Sequence, residues 1–306
     1  MTTQTGYDTS IPAHYQLNIP IITFTGEEPV EQLFRTLASW TCPHGFENLM
    51  YGDALRALGW QRDSWGNFSL IILNNDNSLP STAFTAHMDT ISYGYPAELD
   101  FKINKQGRLA HKRGYQRRGG VVTKNVLGAD DKAGMTVLLK LAYYGIPGHY
   151  FLFVGEEHGR LGSSQVATQE DADWSHLKRM ISFDRRGYTS VITHQNSKRC
   201  CSPAFASALA TALNGTIPDY EMQFAPDSTG SYTDSASFVH SIPECTNISV
   251  GYFDAHTSFE SQDLIFLAGL IDICGCLDWD GLPTERDPNR VTRRRIGRPV
   301  TYRRKR

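Results

Sequence analysis

Five short segments hold the residues best suited to chemistry. His87 and Asp89 flank one methionine in Thr-Ala-His-Met-Asp-Thr, and Asp130 stands in Leu-Gly-Ala-Asp-Asp-Lys-Ala-Gly. Glu156 and Glu157 follow in Val-Gly-Glu-Glu-His-Gly, Asp184 in Ser-Phe-Asp-Arg-Arg-Gly and His256 in Tyr-Phe-Asp-Ala-His-Thr. Imidazole nitrogens and carboxylate oxygens are donors that divalent cations accept. Gathered in space, two imidazoles and this many carboxylates could hold a pair of such ions, which would make the chain a metal-dependent hydrolase. Each segment also has a plain reading by itself. Asp130-Asp131 could simply start a helix, Glu156-Glu157 could be a solvated turn, and an isolated His-x-Asp says little. The case for chemistry is that all five end apolar runs.

Those runs must position them. The spacing predicts a strand over 82–85 that delivers His87. Another over 150–154, continuously apolar as in a strand buried on both faces, delivers the two glutamates. A strand over 180–183 ends at Asp184, and one over 245–250 leads to His256. A helix over 132–144 opens at Asp130 and closes at Gly145 and Pro147. Further helices are predicted over 28–40, 51–58, 203–213, 234–239 and 264–277, with a hairpin at Gly66-Asn67 feeding a strand over 68–73. Residues 98–122 read as a polar excursion with hairpin character. The alternation predicts an α/β fold, a three-layer sandwich whose mostly parallel central sheet is flanked by helices. In such sheets, sites form beyond the carboxyl ends of the strands, where all five segments fall.

Composition bounds the rest. The 306 residues, 40% hydrophobic and 20% charged, suit a globular protein with a real core. No apolar run approaches the roughly 18 residues of a membrane helix. The first residues lack a basic segment followed by an apolar core, so the cytoplasm is the expected location. Six cysteines do not make a disulfide framework in so long a chain, and Cys274-Gly-Cys276 reads as buried free thiols. The net charge of −2 hides an asymmetry: residues 286–306 carry a net +9, leaving −11 on the rest. The division expected is an N-terminal arm over 1–20, a domain over 21–280 and a basic, disordered tail over 281–306. The tail 286–306 could contact nucleic acid or an anionic surface, or lie solvated against the acidic body.

In order and type, His87-Met-Asp89-Thr, Gly128-Ala-Asp130-Asp131-Lys-Ala-Gly134, Gly155-Glu156-Glu157, Asp184 and His256 resemble the co-catalytic di-zinc exopeptidases of clan MH. That superfamily includes bacterial leucyl aminopeptidase, glutamate carboxypeptidase and the tripeptide peptidases. The likeness spans residues 80–260, with tripeptide-peptidase-like wording around Asp130 and the spacing of compact single-domain aminopeptidases. The resemblance implies two divalent ions, zinc by family. Asp130 would bridge them, His87 and Asp184 would complete one, and Glu157 and His256 the other. Asp89 would hydrogen-bond the far nitrogen of His87. Glu156 would be the general base for a water activated between the metals. The family also has a cis peptide after the bridging aspartate, here Asp130-Asp131.

Lidded relatives insert a domain of about 100 residues before the last histidine or a smaller one before the bridging aspartate. The 72 positions from Asp184 to His256 and the 43 from His87 to Asp130 leave no room for either. A monomer without a lid is therefore expected. Tyr232 and Asp234 lie in a segment resembling the family's substrate pocket, and Tyr232 or Tyr252 could donate to an oxyanion. Arg185 or Arg186 could bind a substrate carboxylate or pair with a nearby acid. The expected activity is that of a metallopeptidase, most simply an aminopeptidase on a short peptide or amino-acyl substrate. Alternatives are a di-metal deacylase acting on a non-peptide amide, and an inert binding protein targeted by its basic tail.

Overall fold

A computed structural model describes residues 20–92, 94–112, 115–118, 121–124, 126–169, 173–215 and 221–289. The main sheet has eight strands, numbered here in chain order: β1 (Gln61–Arg62), β2 (Phe68–Ile72), β3 (Thr82–His87), β4 (Gly148–Phe153), β5 (Arg179–Arg185), β6 (Ser190–Ile192), β7 (Ala225–Asp227) and β8 (Glu244–Ser249). Their spatial order is β1-β2-β4-β3-β5-β8-β6-β7. The central four, β4, β3, β5 and β8, run parallel, whereas β2 meets β4 and β6 meets β8 antiparallel. Parallel strands need crossover connections, and these are supplied by helices that cover both faces.

Alternation along the strands divides the core in two. Phe84, Tyr150, Leu152, Ile181 and Phe183 point into one apolar cluster. Ala83, Phe151, Phe153 and Met180, their immediate neighbours, point into the other. Helices α1 (Val30–Leu37), α2 (Glu47–Ala57), α3 (Ala129–Tyr143), α4 (Leu161–Ala167), α5 (Pro203–Leu213) and α6 (Leu264–Cys276) make up the outer layers. α3 packs on β3 and β5, with α1 and α6 behind it. A 3-10 turn, Asp234–Phe238, and α4 pack together against the opposite face. The predicted sandwich is the observed architecture. Among the described residues between Asp184 and His256, the elements belong to this sandwich and its rim, and none forms a lid.

Beside the main sheet stands a four-stranded antiparallel one. Tyr252–Phe253, Ser261–Gln262, Leu109–His111 and Phe101–Ile103 pair in that order. Its first connection, residues 254–260, carries His256. The adjacent ends of β4, β3 and β5 carry the glutamate pair, His87 and Asp184.

The expected tail boundary at 281 needs correction. Leu282 is 7% exposed, and Arg286 donates to the carbonyls of Val239, Ile242 and Pro243. The buried guanidinium of Arg179, at the start of β5, donates to the Trp279 and Leu282 carbonyls, 2.7 and 2.9 Å away. Apolar burial and backbone carbonyls thus hold residues 281–286 on the body, and the rest of the basic segment from 290 lies outside the described residues, as do 1–19 of the expected arm. Cys274 is buried as expected but Cys276 is exposed, because α6 turns it outward in its last turn. Among the described residues, no helix is long and apolar enough to cross a membrane.

Candidate metal centre

His87 is the last residue of β3, and its side chain is buried. Nδ1 lies 2.9 Å from the Asp89 carbonyl oxygen. A proton on Nδ1 given to that carbonyl leaves the lone pair on Nε2. Nε2 faces Asp130 Oδ1 at 3.0 Å and Asp184 Oδ1 at 3.8 Å. Asp130 stands between two imidazoles, since its other oxygen lies 3.2 Å from His256 Nε2. His256 Nε2 is also 2.8 Å from Glu157 Oε1.

Two groups of donors result. Atoms of His87, Asp130 and Asp184 lie within 4.8 Å of one another, and so do atoms of Asp130, Glu157 and His256. Asp130 belongs to both. Buried Glu157 Oε1 makes no hydrogen bond among the described residues despite the nearby imidazole. A buried carboxylate oxygen left so is costly unless a cation takes it. One imidazole and two carboxylates per group suit zinc and its divalent neighbours. The residues present fit two divalent ions.

Electrostatics point the same way. The two carboxylates push His256 up to about 11. Burial, with the charge of Asp130 beside it, holds Asp184 well above the usual carboxylate range. Burial raises Glu156 to about 10, with Asp184, Asp234 and Asp130 adding to it and His87 opposing. Cations bound here would act in the opposite direction and favour the ionised carboxylates.

The backbone around the donors is pinned by acids. The Asp89 carboxylate accepts from the amides of Glu156 and Glu157 at 3.0 and 3.2 Å. It lies 3.5 Å from His87 Nδ1, so the nearer partner of that nitrogen is the Asp89 carbonyl. The Asp89 carboxylate thus stands at ion-pair distance from the far nitrogen of His87 while it clamps the glutamate turn. Asp131 accepts from the His87 amide at 3.1 Å. The Asp130-Asp131 peptide is cis. Glu260, buried and raised by that burial to about 8, accepts from the amides of Gly128 and Asp130 at 2.7 and 3.0 Å. Thr233 donates to Asp184 Oδ2 at 2.6 Å, and Asn247 brackets the Asp184 backbone.

A cavity of about 550 Å³ opens onto this centre, lined by Asp130, Glu156, Asp184 and His256 and also by Arg185, Arg186, Tyr232 and Tyr252. The proposed pocket residues fare differently. The Tyr252 hydroxyl is engaged by Asp184 Oδ1 at 3.2 Å, and that of Tyr232 accepts from Asn196 at 2.9 Å. Arg185 is held by Thr229 at 3.0 Å and faces Asp227 at 3.7 Å, the acid-pairing alternative. Arg186 is exposed on the wall. Asp234 is 1% exposed and is not among the residues that line the cavity, though its charge acts on Glu156. Its 3-10 turn packs it inward instead.

Sequence reasoning missed Glu260, Thr233 and a third cluster of His44, Glu47 and Asp89. There, His44 Nδ1 lies 2.7 Å from Glu47, and the ring of His158 is 5.1 Å from that of His44. Glu260 carries no motif. Its partners are more than 100 residues away, and only the small sheet brings them together.

No family model matches the chain, and no curated protein matches it. Solved structures do. The aminopeptidase PepT of Bacillus cereus has a TM-score of 0.56 at 16% identity, with 80% of this chain and 96% of that chain covered. The TET1 peptidase of Pyrococcus horikoshii, described as assembling into a tetrahedron or a large octahedral shell, has a TM-score of 0.56 at 14% identity, covering 81% and 98%. The LapA aminopeptidase of Legionella pneumophila has a TM-score of 0.53 at 17% identity, covering 80% and 69%. At such identities the likeness is one of fold, shared with these peptidase structures.

Proposed function

We propose that this chain is a two-metal exopeptidase, an aminopeptidase in the simplest case. The observation that carries the reading is Asp130, whose two oxygens face two imidazoles and join two donor groups beside an open cavity. The fold shared with aminopeptidases supports it. His87, Asp130 and Asp184 would hold one cation, and Asp130, Glu157 and His256 the other. When bound, the cations supply Lewis acidity that polarises a carbonyl and lowers the pKa of water. Glu156, on the same cavity wall, takes the proton of the attacking water and returns it to the leaving amine. Asp89 fixes the turn so that Glu156 and Glu157 divide these tasks. Closely packed Thr233 and Asn247 hold Asp184 in place.

The test is a panel of amino-acyl anilides, short peptides and N-acyl amino acids, before and after chelation, with metal analysis. Hydrolysis of unblocked peptides that stops on chelation and returns with zinc is expected. Turnover of N-acyl compounds alone would turn the reading to a deacylase, and no metal uptake would end it.

A further inference from the structure

A second cavity, of about 240 Å³, lies beyond Tyr232, which lines both it and the first. Its wall carries Arg160, Lys198, Arg199 and His240, and none of its lining residues is acidic. This is a concentration of cations on a chain whose first 285 residues carry a net −11. Among the described residues, the hydrogen-bond and ring partners of Arg160 there are neutral: its Nη1 donates to Ser237 Oγ at 3.1 Å, and its guanidinium lies 4.4 Å from the Tyr232 ring centroid. Asp234, whose charge Arg160 also feels, is buried and does not line the pocket. Lys198 and Arg199 are exposed at the rim.

The pocket is built from the same loops as the metal centre. Arg160 ends the glutamate turn, its amide donating to the Glu156 carbonyl at 2.8 Å. On the other side, His194–Gln195 and Lys198–Arg199 form a two-residue hairpin. Asn196 and Ser197, with φ of 45° and 63°, make the tight turn that presents the two cations. Asn196 bonds the Tyr232 hydroxyl, and Gln195 Oε1 accepts from the amide of Thr233, the residue that holds Asp184. A ligand lying from the first cavity into the second would therefore stay in contact with the chain on both sides of Tyr232.

We infer that this pocket is a subsite for acidic residues of a peptide substrate, at positions beyond the scissile bond. The inference rests on the peptidase reading. Carboxylates would meet Arg160, Lys198 and Arg199, with Ser164, Thr168 and Gln195 as neutral hydrogen-bonding partners. The field of the pocket would also draw acidic peptides toward a body that otherwise repels them.

The test uses the full chain loaded with zinc and two peptides, Leu-Ala-Ala-Glu-Glu and Leu-Ala-Ala-Lys-Lys. Both kcat/KM and binding to the Glu156→Gln protein are measured, each with and without Lys198→Glu/Arg199→Glu. The expected result is a three- to tenfold preference for the acidic peptide, about what two or three exposed ion pairs supply, carried in KM and lost in 1 M salt. The double variant should invert it. A general loss of activity does not move this ratio, so misfolding cannot imitate the result. Equal affinity for the two peptides, or a ratio unchanged by the variant, overturns the subsite. Absence of turnover with both peptides sinks the peptidase reading instead, while the binding ratio still decides the pocket. Inorganic phosphate that binds more tightly than the acidic peptide, and loses affinity in the same variant, would assign the pocket to free phosphate and overturn the proposal.

Discussion

At the residue scale, the division of labour between adjacent side chains yields the sharpest tests. On the proposed reading, replacing Glu156 by Gln would remove the proton acceptor and leave the metal donors in place. Turnover should fall by about 10²- to 10⁴-fold, with the metal content of the purified protein unchanged. A variant that loses both metals would show that the two glutamates exchange roles. Asp130→Ala should do the reverse of Glu156→Gln: elemental analysis should find both ions gone, because one carboxylate serves both groups. These side chains could be picked out from sequence because each ends an apolar run. Glu260 and Thr233 could not, since a lone acid or hydroxyl in a loop has no pattern and acquires its partner only through folding. Asp89 was visible, yet its carboxylate's partners are backbone amides 67 and 68 residues away, which side-chain chemistry alone does not point to.

At the scale of elements, close packing positions the site. Gly134 lies where α3 crosses β5, and a Cβ there would overlap the Phe183 carbonyl and crowd the Asp131 carboxylate, 2.5 Å from Oδ2. Gly134→Ala should cost about 1–3 kcal/mol, read as a fall of several degrees in the melting temperature. On β4, His149 sits 4.0 Å from the Phe151 ring centroid, and burial, with His176 nearby, lowers its pKa to about 4. The unfolded chain binds this proton near pH 6.5 and the folded one does not. Stability present above pH 6.5 is therefore lost as pH falls toward 4, by up to about 3 kcal/mol. Denaturant midpoints across that window should slope less in His149→Phe. The long apolar strands and helices were readable from periodicity. The short strands Ser190–Ile192 and Ala225–Asp227 and the short helix Leu161–Ala167 were not, because three to seven residues carry too little of a repeat.

For the whole molecule, the question is where the folded body ends. Cutting after Asp280 would expose the Leu282 site and remove the Leu282 carbonyl and Thr284 hydroxyl, the two partners of Nη2 of buried Arg179. Leaving buried N–H donors of a charged group unpaired costs about 1–3 kcal/mol, so this chain should melt below one cut after Asn289, which keeps every described contact. Equal melting of the two would place the boundary back near 280. The sandwich could be inferred because strands and helices alternate from residue 68 onward. The docking of residues 281–286 was hidden by a composition rich in charge and proline, which reads the same whether a segment is solvated or tied down by its carbonyl oxygens.

Arg179 also sets an order of events during synthesis. It enters the sheet with β5, but the carbonyls that neutralise its burial belong to residues made 100 and 103 positions later. At about 5–20 residues per second, the side chain has the Ser81 and Thr82 hydroxyls as its acceptors for roughly 5–20 s before those carbonyls exist. The acceptors that complete this side chain's hydrogen bonding, in residues 279–284, are thus made after every strand of the main sheet, and the packing at the start of β5 is completed only when they dock.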